Sequence, residues 1–274
     1  MTNINLTLKK SATKSNIPIE AEIISPDNFF DKDLTEISQL SIWRGNKELT
    51  INQVFTISGD HMKGGEIKNL KIILKGDLSK IKRIGQNMSE GLIDVKGSIG
   101  MHLGTQMAGG KIIVQETVGD FAGANMKGGE MHILGNAGHY LGGSVRGDWR
   151  GMSNGKIRVE GNIGNECGVW MRKGIIEIGG NVNLFLGIHM HNGLIVVDGD
   201  VEERAGAEMT GGIIVIKGQL KKNLPSFEFV GKKKDIEIEN YGIITGNYLE
   251  FEGDFAERKQ GSMFLLENKN THLL

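Results

Sequence analysis

The side chains that could do chemistry are few, and their spacing limits what each could do. Cys167 is the one cysteine of the chain, so this sequence alone supplies neither a disulfide framework nor the four thiolates of an iron–sulfur cluster. It stands four residues before Met171, as Leu103, Ala122 and Leu186 stand before Met107, Met126 and Met190. That column is apolar and predicts a buried structural thiol, whereas a reactive thiolate needs exposure and a nearby cation. His189 and His191 flank Met190. On a strand, residues i and i+2 share a face, so both rings could meet one metal ion. No further His, Cys or Asp stands beside them at ligand spacing, and the expected reading is two outward surface histidines. His61, His102, His132 and His139 are scattered and are also expected to face outward. There is no Walker loop. The G-x-x-x-G matches at Gly100–Gly104 and Gly164–Gly168 read as corners of the chain, not as phosphate cradles. No Ser-His-Asp set or carboxylate pair can be argued, so no catalytic, cofactor-binding or metal-ligating residue is assigned. The densest recognition-type cluster is Arg146, Asp148, Trp149 and Arg150, within LGGSVRGDWRGM (141–152). Arg and Trp are enriched at interface hot spots. A contact with a partner or ligand is the functional expectation there, and a wide corner with Trp packed on the surface is the alternative.

The elements that position these residues repeat. Met88, Met107 and Met126 are 19 apart, as are Met152, Met171, Met190 and Met209. Met62 to Met88 and Met126 to Met152 are each 26 apart, which is one repeat plus a seven-residue insertion. Three residues after each of these methionines is a glycine, from Gly65 to Gly212. Five after comes Ile67, Ile93, Ile112, Met131, Ile157, Ile176, Ile195 or Ile214, and seven after come positions such as Val95, Val114 and Val159. The residue between is mixed: Asp94, Ile113, His132, Arg158, Glu177. Apolar, mixed, apolar is the period of a strand with one buried face. Glycine suits corners because it takes positive φ without strain, and such frequent glycine works against a helical repeat. The expected fold is therefore all-β: a single-stranded right-handed parallel β-helix of about seven or eight coils over residues 54–218. Residues 1–53 and 219–274 are expected to form N- and C-terminal caps. DLTEISQL (33–40) reads as a short helix, DIEIEN, YLEFEG and SMFLLE read as strands, and Lys232–Lys234 as a solvated turn.

Composition narrows the class. Glycine is 41 of 274 residues, against an average near 7%. The three prolines exclude collagen, and a hydrophobic fraction of 39% is enough for a core. The net charge of -1 gives no long-range pull toward nucleic acid or an anionic membrane. No signal-peptide pattern and no apolar run long enough for a membrane span are read, so the expected address is the cytoplasm.

The glycine-rich 19-residue unit resembles the GXGXG domain found at the C-terminal end of the glutamate synthase large subunit. The flanking motifs PIEAEIISPD (18–27), IWRGN (42–46) and GDWRGM (147–152) resemble the C subunit of formylmethanofuran dehydrogenases. The C subunit of the formyltransferase/hydrolase complex of methylotrophs is a near alternative. The resemblance runs over nearly the whole chain. It implies a member of a cytoplasmic hetero-oligomer in methanogenic archaea that reduces CO2 to formate and attaches it to methanofuran. It also implies that the tungsten- or molybdenum-pterin, the iron–sulfur clusters and a dinuclear metal site lie in other subunits: pterin-binding, ferredoxin-like and metal-dependent amidohydrolase-like. On that reading this chain is a non-catalytic scaffold. An acyl-transfer role using His139 or His191 as base, and a carbohydrate-active surface, are competing readings; the second lacks an aromatic or acidic ladder.

Overall fold

Short strands follow from the alternation in each repeat. In KIIV, EMHI, KIRV and IIEI the second and fourth residues are buried and the third is half-buried or exposed. A computed structural model describes residues 1–60 and 64–274; the readings that involve His61 and Met62 lie outside the described residues. The strands Leu70–Lys75, Leu92–Val95, Lys111–Val114, Glu130–Ile133, Lys156–Val159, Ile175–Ile178, Leu194–Val197 and Gly212–Ile216 pair in parallel, each with the next. Lys156 lies opposite Ile175, and Ile175 opposite Leu194, so register follows the methionine spacing. A second row of parallel bridges joins Ile99, Val118, Ala137, Ile163, Val182 and Val201. Beside it the side chains of Asn136, Asn162, Asn181 and Asp200 each accept from the backbone N–H of the next repeat, at 2.8 Å. These polar side chains satisfy backbone donors where the chain turns.

The methionine and glycine columns have a common cause. Met88, Met107, Met126, Met152, Met171, Met190 and Met209 are all fully buried. Gly174 has φ +103°, and a Cβ there would lie 2.7 Å from Met152 Cε and 2.9 Å from Gly155 O. The same geometry recurs at Gly193, where a Cβ would lie 2.8 Å from Met171 Cε. Each methionine thus ends in the space left by the glycine of the next repeat.

The expectation of a single-stranded right-handed parallel β-helix is corrected. Among the described residues the main sheet has 13 strands and is mixed, accompanied by a 2-stranded and a 4-stranded sheet. Four short α-helices are also present among the described residues. The end segments pair with the open edges of the parallel run. Thr2–Leu8 pairs in parallel with Leu70–Lys75 and antiparallel with Phe55–Gly59. At the far end Gly261–Leu266 pairs with Gly212–Ile216, and the hairpin Glu228–Ile238/Gly242–Gly253 adds two antiparallel strands. The physical reason is the open edge: unpaired N–H and C=O groups at each end of the parallel run recruit the nearest extended segments as further strands. Lys232–Lys234 lie within one of these strands, exposed, and are not a turn. The hairpin also folds over the outer face of the last parallel strands, where Ile236, Ile238, Ile244 and Tyr248 pack on Leu194, Val196 and Val215. Asp33 and Glu36 form a capping box that starts the helix Leu34–Gln39, which satisfies N–H groups at its first turn.

Candidate functional site

The insertion leaves the repeat at one corner and rejoins it there. Met152 N–H donates to Gly142 O at 3.0 Å, just as Met126 N–H donates to Gly123 O at 3.1 Å. The middle of the insertion, from Arg146 to Arg150, therefore reaches the surface without breaking the register. Asn125 holds them. Its Nδ2 donates to Asp148 Oδ2 at 2.9 Å and to Arg150 O at 2.6 Å, and its Oδ1 accepts from Val145 N–H at 3.0 Å. Asn125 is 6% exposed and has φ 53°, a conformation Asn tolerates better than most residues. The other oxygen of Asp148 accepts from Arg150 N–H at 3.1 Å.

This anchoring displays Trp149, which is 57% exposed. Two guanidinium groups lie over its ring: Arg172 at 4.8 Å and Arg150 at 5.4 Å from the centroid. The structure thus brings Asp148, Trp149 and Arg150 together. Arg146 is exposed and, among the described residues, makes no side-chain hydrogen bond or ion pair with them.

Three residues that sequence reasoning did not single out complete the edge: Asn125, Trp170 and Arg172. Trp170 stacks on His189, with centroids 4.1 Å apart and planes at 9°. His189 Nδ1 is 3.4 Å from a Glu208 carboxylate oxygen. Trp170 and His189 have φ of 59° and 55°, as do Gln106 (59°), Asn125 (53°) and Glu208 (55°) at the matching place in their repeats. The left-handed conformation is a property of this corner, and it throws each side chain onto one edge. His191 stands one repeat beyond Arg172. Its Nδ1 is 2.6 Å from Thr210 Oγ1, and its Nε2 is buried with no hydrogen-bond partner among the described residues. Burial first, then the charges of Arg172 and Arg258, push its pKa below the usual histidine range, so the ring is neutral at pH 7.

The remaining candidates lie elsewhere. Cys167 is fully buried, and desolvation pushes its thiol up to about 12. His139 Nδ1 accepts from Asn165 N–H at 2.8 Å. His132 Nε2 contacts Glu160 at 2.7 Å, on an outer sheet face where hydrogen bonds from Arg158 and then His132 hold Glu160 at about 2. A groove of about 800 Å³ lies between the hairpin tip at Asn240 and Tyr241 and the corners at Gly155, Gly174 and Gly193. Among the described residues no group of three His, Cys, Asp or Glu converges as a metal site, and the one thiol is sealed in the core.

Asn125→Ala is expected to destabilise the chain by about 1–3 kcal/mol, because Asp148 and the Arg150 carbonyl lose a buried donor. Amide hydrogen exchange across 143–151 is expected to accelerate, and Asn125→Gly, which keeps the backbone freedom, isolates the side-chain part. Unchanged exchange in both variants would remove Asn125 as the anchor.

Fold and edge together define a class: a chain of stacked, hydrogen-bonded repeats that carries its distinctive residues on an outside corner. No protein-family profile matches the chain. The C subunit of molybdenum-containing formylmethanofuran dehydrogenase 1 from Methanosarcina barkeri is 41% identical over 88 residues, 32% of this chain and 29% of that protein. The C subunit of tungsten-containing formylmethanofuran dehydrogenase 2 from Methanothermobacter wolfeii is 43% identical over 104 residues, 38% of this chain and 37% of that protein. The matched stretch thus spans about a third of the length of these curated relatives. Among solved structures, the formyltransferase/hydrolase complex of Methylorubrum extorquens, in complex with methylofuran, contains a chain that matches with a TM-score of 0.83 at 26% identity. The match covers 96% of this chain and 99% of that one. The resemblance to the dehydrogenase's C subunit, drawn from the repeat and its flanking motifs, is borne out by these relatives.

Proposed function

We propose that this chain is the C subunit of a formylmethanofuran dehydrogenase complex and works there as a non-catalytic scaffold. The complex reduces CO2 to formate and attaches it to methanofuran, with the tungsten- or molybdenum-pterin, iron–sulfur clusters and dinuclear metal site carried by partner subunits. The observation that carries the reading is the end-to-end match to one chain of a multi-subunit formyl-transferring complex, joined to curated relatives that hold the same C position in their dehydrogenases. The repeat region, 54–218, would supply rigid faces, and the edge around Arg146, Asp148, Trp149 and Arg150 would contact a partner. A cytoplasmic address is part of this proposal; among the described residues no helix is long and apolar enough to cross a membrane.

A second reading is the C subunit of a formyltransferase/hydrolase complex, favoured by the solved structure in which the matching chain sits. Affinity purification of the tagged full chain from its host, with native mass spectrometry and elemental analysis, separates the two. A heteromeric particle that retains tungsten or molybdenum is expected. A heteromeric particle free of both metals favours the second reading, and a chain recovered only as a monomer overturns both.

A further inference from the structure

Beyond a generic contact, the charges on the Trp149 edge select the chemistry of what binds. Arg172 is half-buried, lies over Trp149, and forms no ion pair among the described residues. Its Nε is buried and, among the described residues, has no hydrogen-bond partner, so the guanidinium is already desolvated on one side. That is the state in which a guanidinium loses least on binding a carboxylate through two parallel N–H bonds. Arg150 approaches the same ring, and its contact with Asp148 is long, at 3.4 Å. Asp148 is drawn inward by Asn125, and Glu208 faces His189, so neither acid neutralises Arg172. Exposed Arg146, Lys127 and Lys173 continue the positive charge around the corner. The chain as a whole carries a net charge of only -1, so this edge is a local feature and not the average surface.

We infer that the Trp149 edge receives a carboxylate-bearing loop of a partner protein, with the acidic group on Arg172 and Arg150 and an apolar neighbour against the exposed part of the Trp149 ring. This rests on the scaffold reading above and names the partner chemistry for it. A Trp with two guanidinium groups over its ring and a charged rim matches the anatomy of protein interfaces, in which Trp and Arg anchors sit in a polar surround. A nucleic-acid site would need a longer basic stripe tracking a phosphate backbone.

The test uses the tagged full chain and the partners it retains. Arg150→Gln/Arg172→Gln is expected to lower retention about tenfold, the scale of a lost hot spot. It is also expected to flatten the loss of retention that the unaltered chain shows between about 0.05 and 0.5 M salt, a range over which exposed charges become screened. Arg172→Lys keeps the charge without the fork and is expected to recover only part of the retention. Lys47→Gln/Lys234→Gln removes two exposed charges elsewhere and is expected to leave retention unchanged. Melting temperatures of all variants establish that they fold. Equal retention by the Arg150/Arg172 variant, equal loss in the Lys47/Lys234 variant, or release of the bound material by nuclease would each overturn the inference while leaving the scaffold reading intact. No retained partner even for the unaltered chain would overturn both.

Discussion

Gly174→Ala is expected to destabilise the chain by about 2–6 kcal/mol. Two costs add. At φ +103° an L-residue is strained by about 1–3 kcal/mol. The new methyl would stand 2.7 Å from Met152 Cε and 2.9 Å from Gly155 O, and such overpacking costs about 1–3 kcal/mol. Gly147 separates the terms, because it also has positive φ, at +86°, yet a Cβ there meets nothing within 4 Å. Gly147→Ala is therefore expected to show the backbone part alone. Urea denaturation of both variants makes the comparison. Equal costs would mean that the methionine–glycine packing contributes nothing.

A double variant tests the pairing directly. Met152→Ala leaves a cavity in a fully buried column and is expected to cost about 2–5 kcal/mol alone. Combined with Gly174→Ala it also removes the methyl that the new side chain strikes, so the two costs are expected to sum to less than additive. Coupling between touching residues runs to about 0.5–3 kcal/mol. The contact with Gly155 O persists, which keeps the relief partial.

This packing explains what was legible in the sequence. Methionine and glycine recur together because each repeat meets the next through the same pair, and an interior that repeats leaves a repeat in the letters. The buried thiol at Cys167 was readable in the same way, from its column with Leu103, Ala122 and Leu186. The ends were not. That Thr2–Leu8 and Gly261–Leu266 pair directly with the outermost parallel strands depends on which edge they find, and strand pairing at an edge leaves little local mark. The three lysines at 232–234 read as a turn on composition, yet a run of lysine is also what protects an exposed strand of this kind.

At the candidate site, sequence reasoning reached the loop and missed its support. Arg146, Asp148, Trp149 and Arg150 stood out because the insertion interrupts the beat. Asn125, Trp170 and Arg172 keep the beat and were passed over. Their signal lay in the columns beside the methionines. The residue before reads Asn87, Gln106, Asn125, Trp170, His189 and Glu208, and the residue after Met152, Met171 and Met190 reads Ser153, Arg172 and His191. Neighbours of a buried strand-like position point the opposite way, so a polar and aromatic column on both sides of an apolar one marks a displayed edge.

Trp149→Ala is expected to weaken association with the proposed partner by about thirtyfold or more, while lowering the chain's own stability by about 1–2 kcal/mol at most. The two numbers differ because the ring does different things in the two states. In the free chain Trp149 is 57% exposed and contributes two guanidinium contacts, each about 0.5–1 kcal/mol at an exposed site. In a complex the remaining ring surface is buried and the two arginines lose their orienting platform, which is the condition under which single Trp truncations reach about 2 kcal/mol or more. The loss is expected mainly in the dissociation rate, since truncating a central anchor leaves the encounter charges in place. Salt steps then distinguish the ring from the charges: Trp149→Ala keeps the salt dependence that Arg150→Gln/Arg172→Gln removes. Binding kinetics of the tagged chain with its retained partner, beside its melting temperature, give both readings. An unchanged dissociation rate would reduce Trp149 to a surface ornament of the insertion and leave the edge without its anchor.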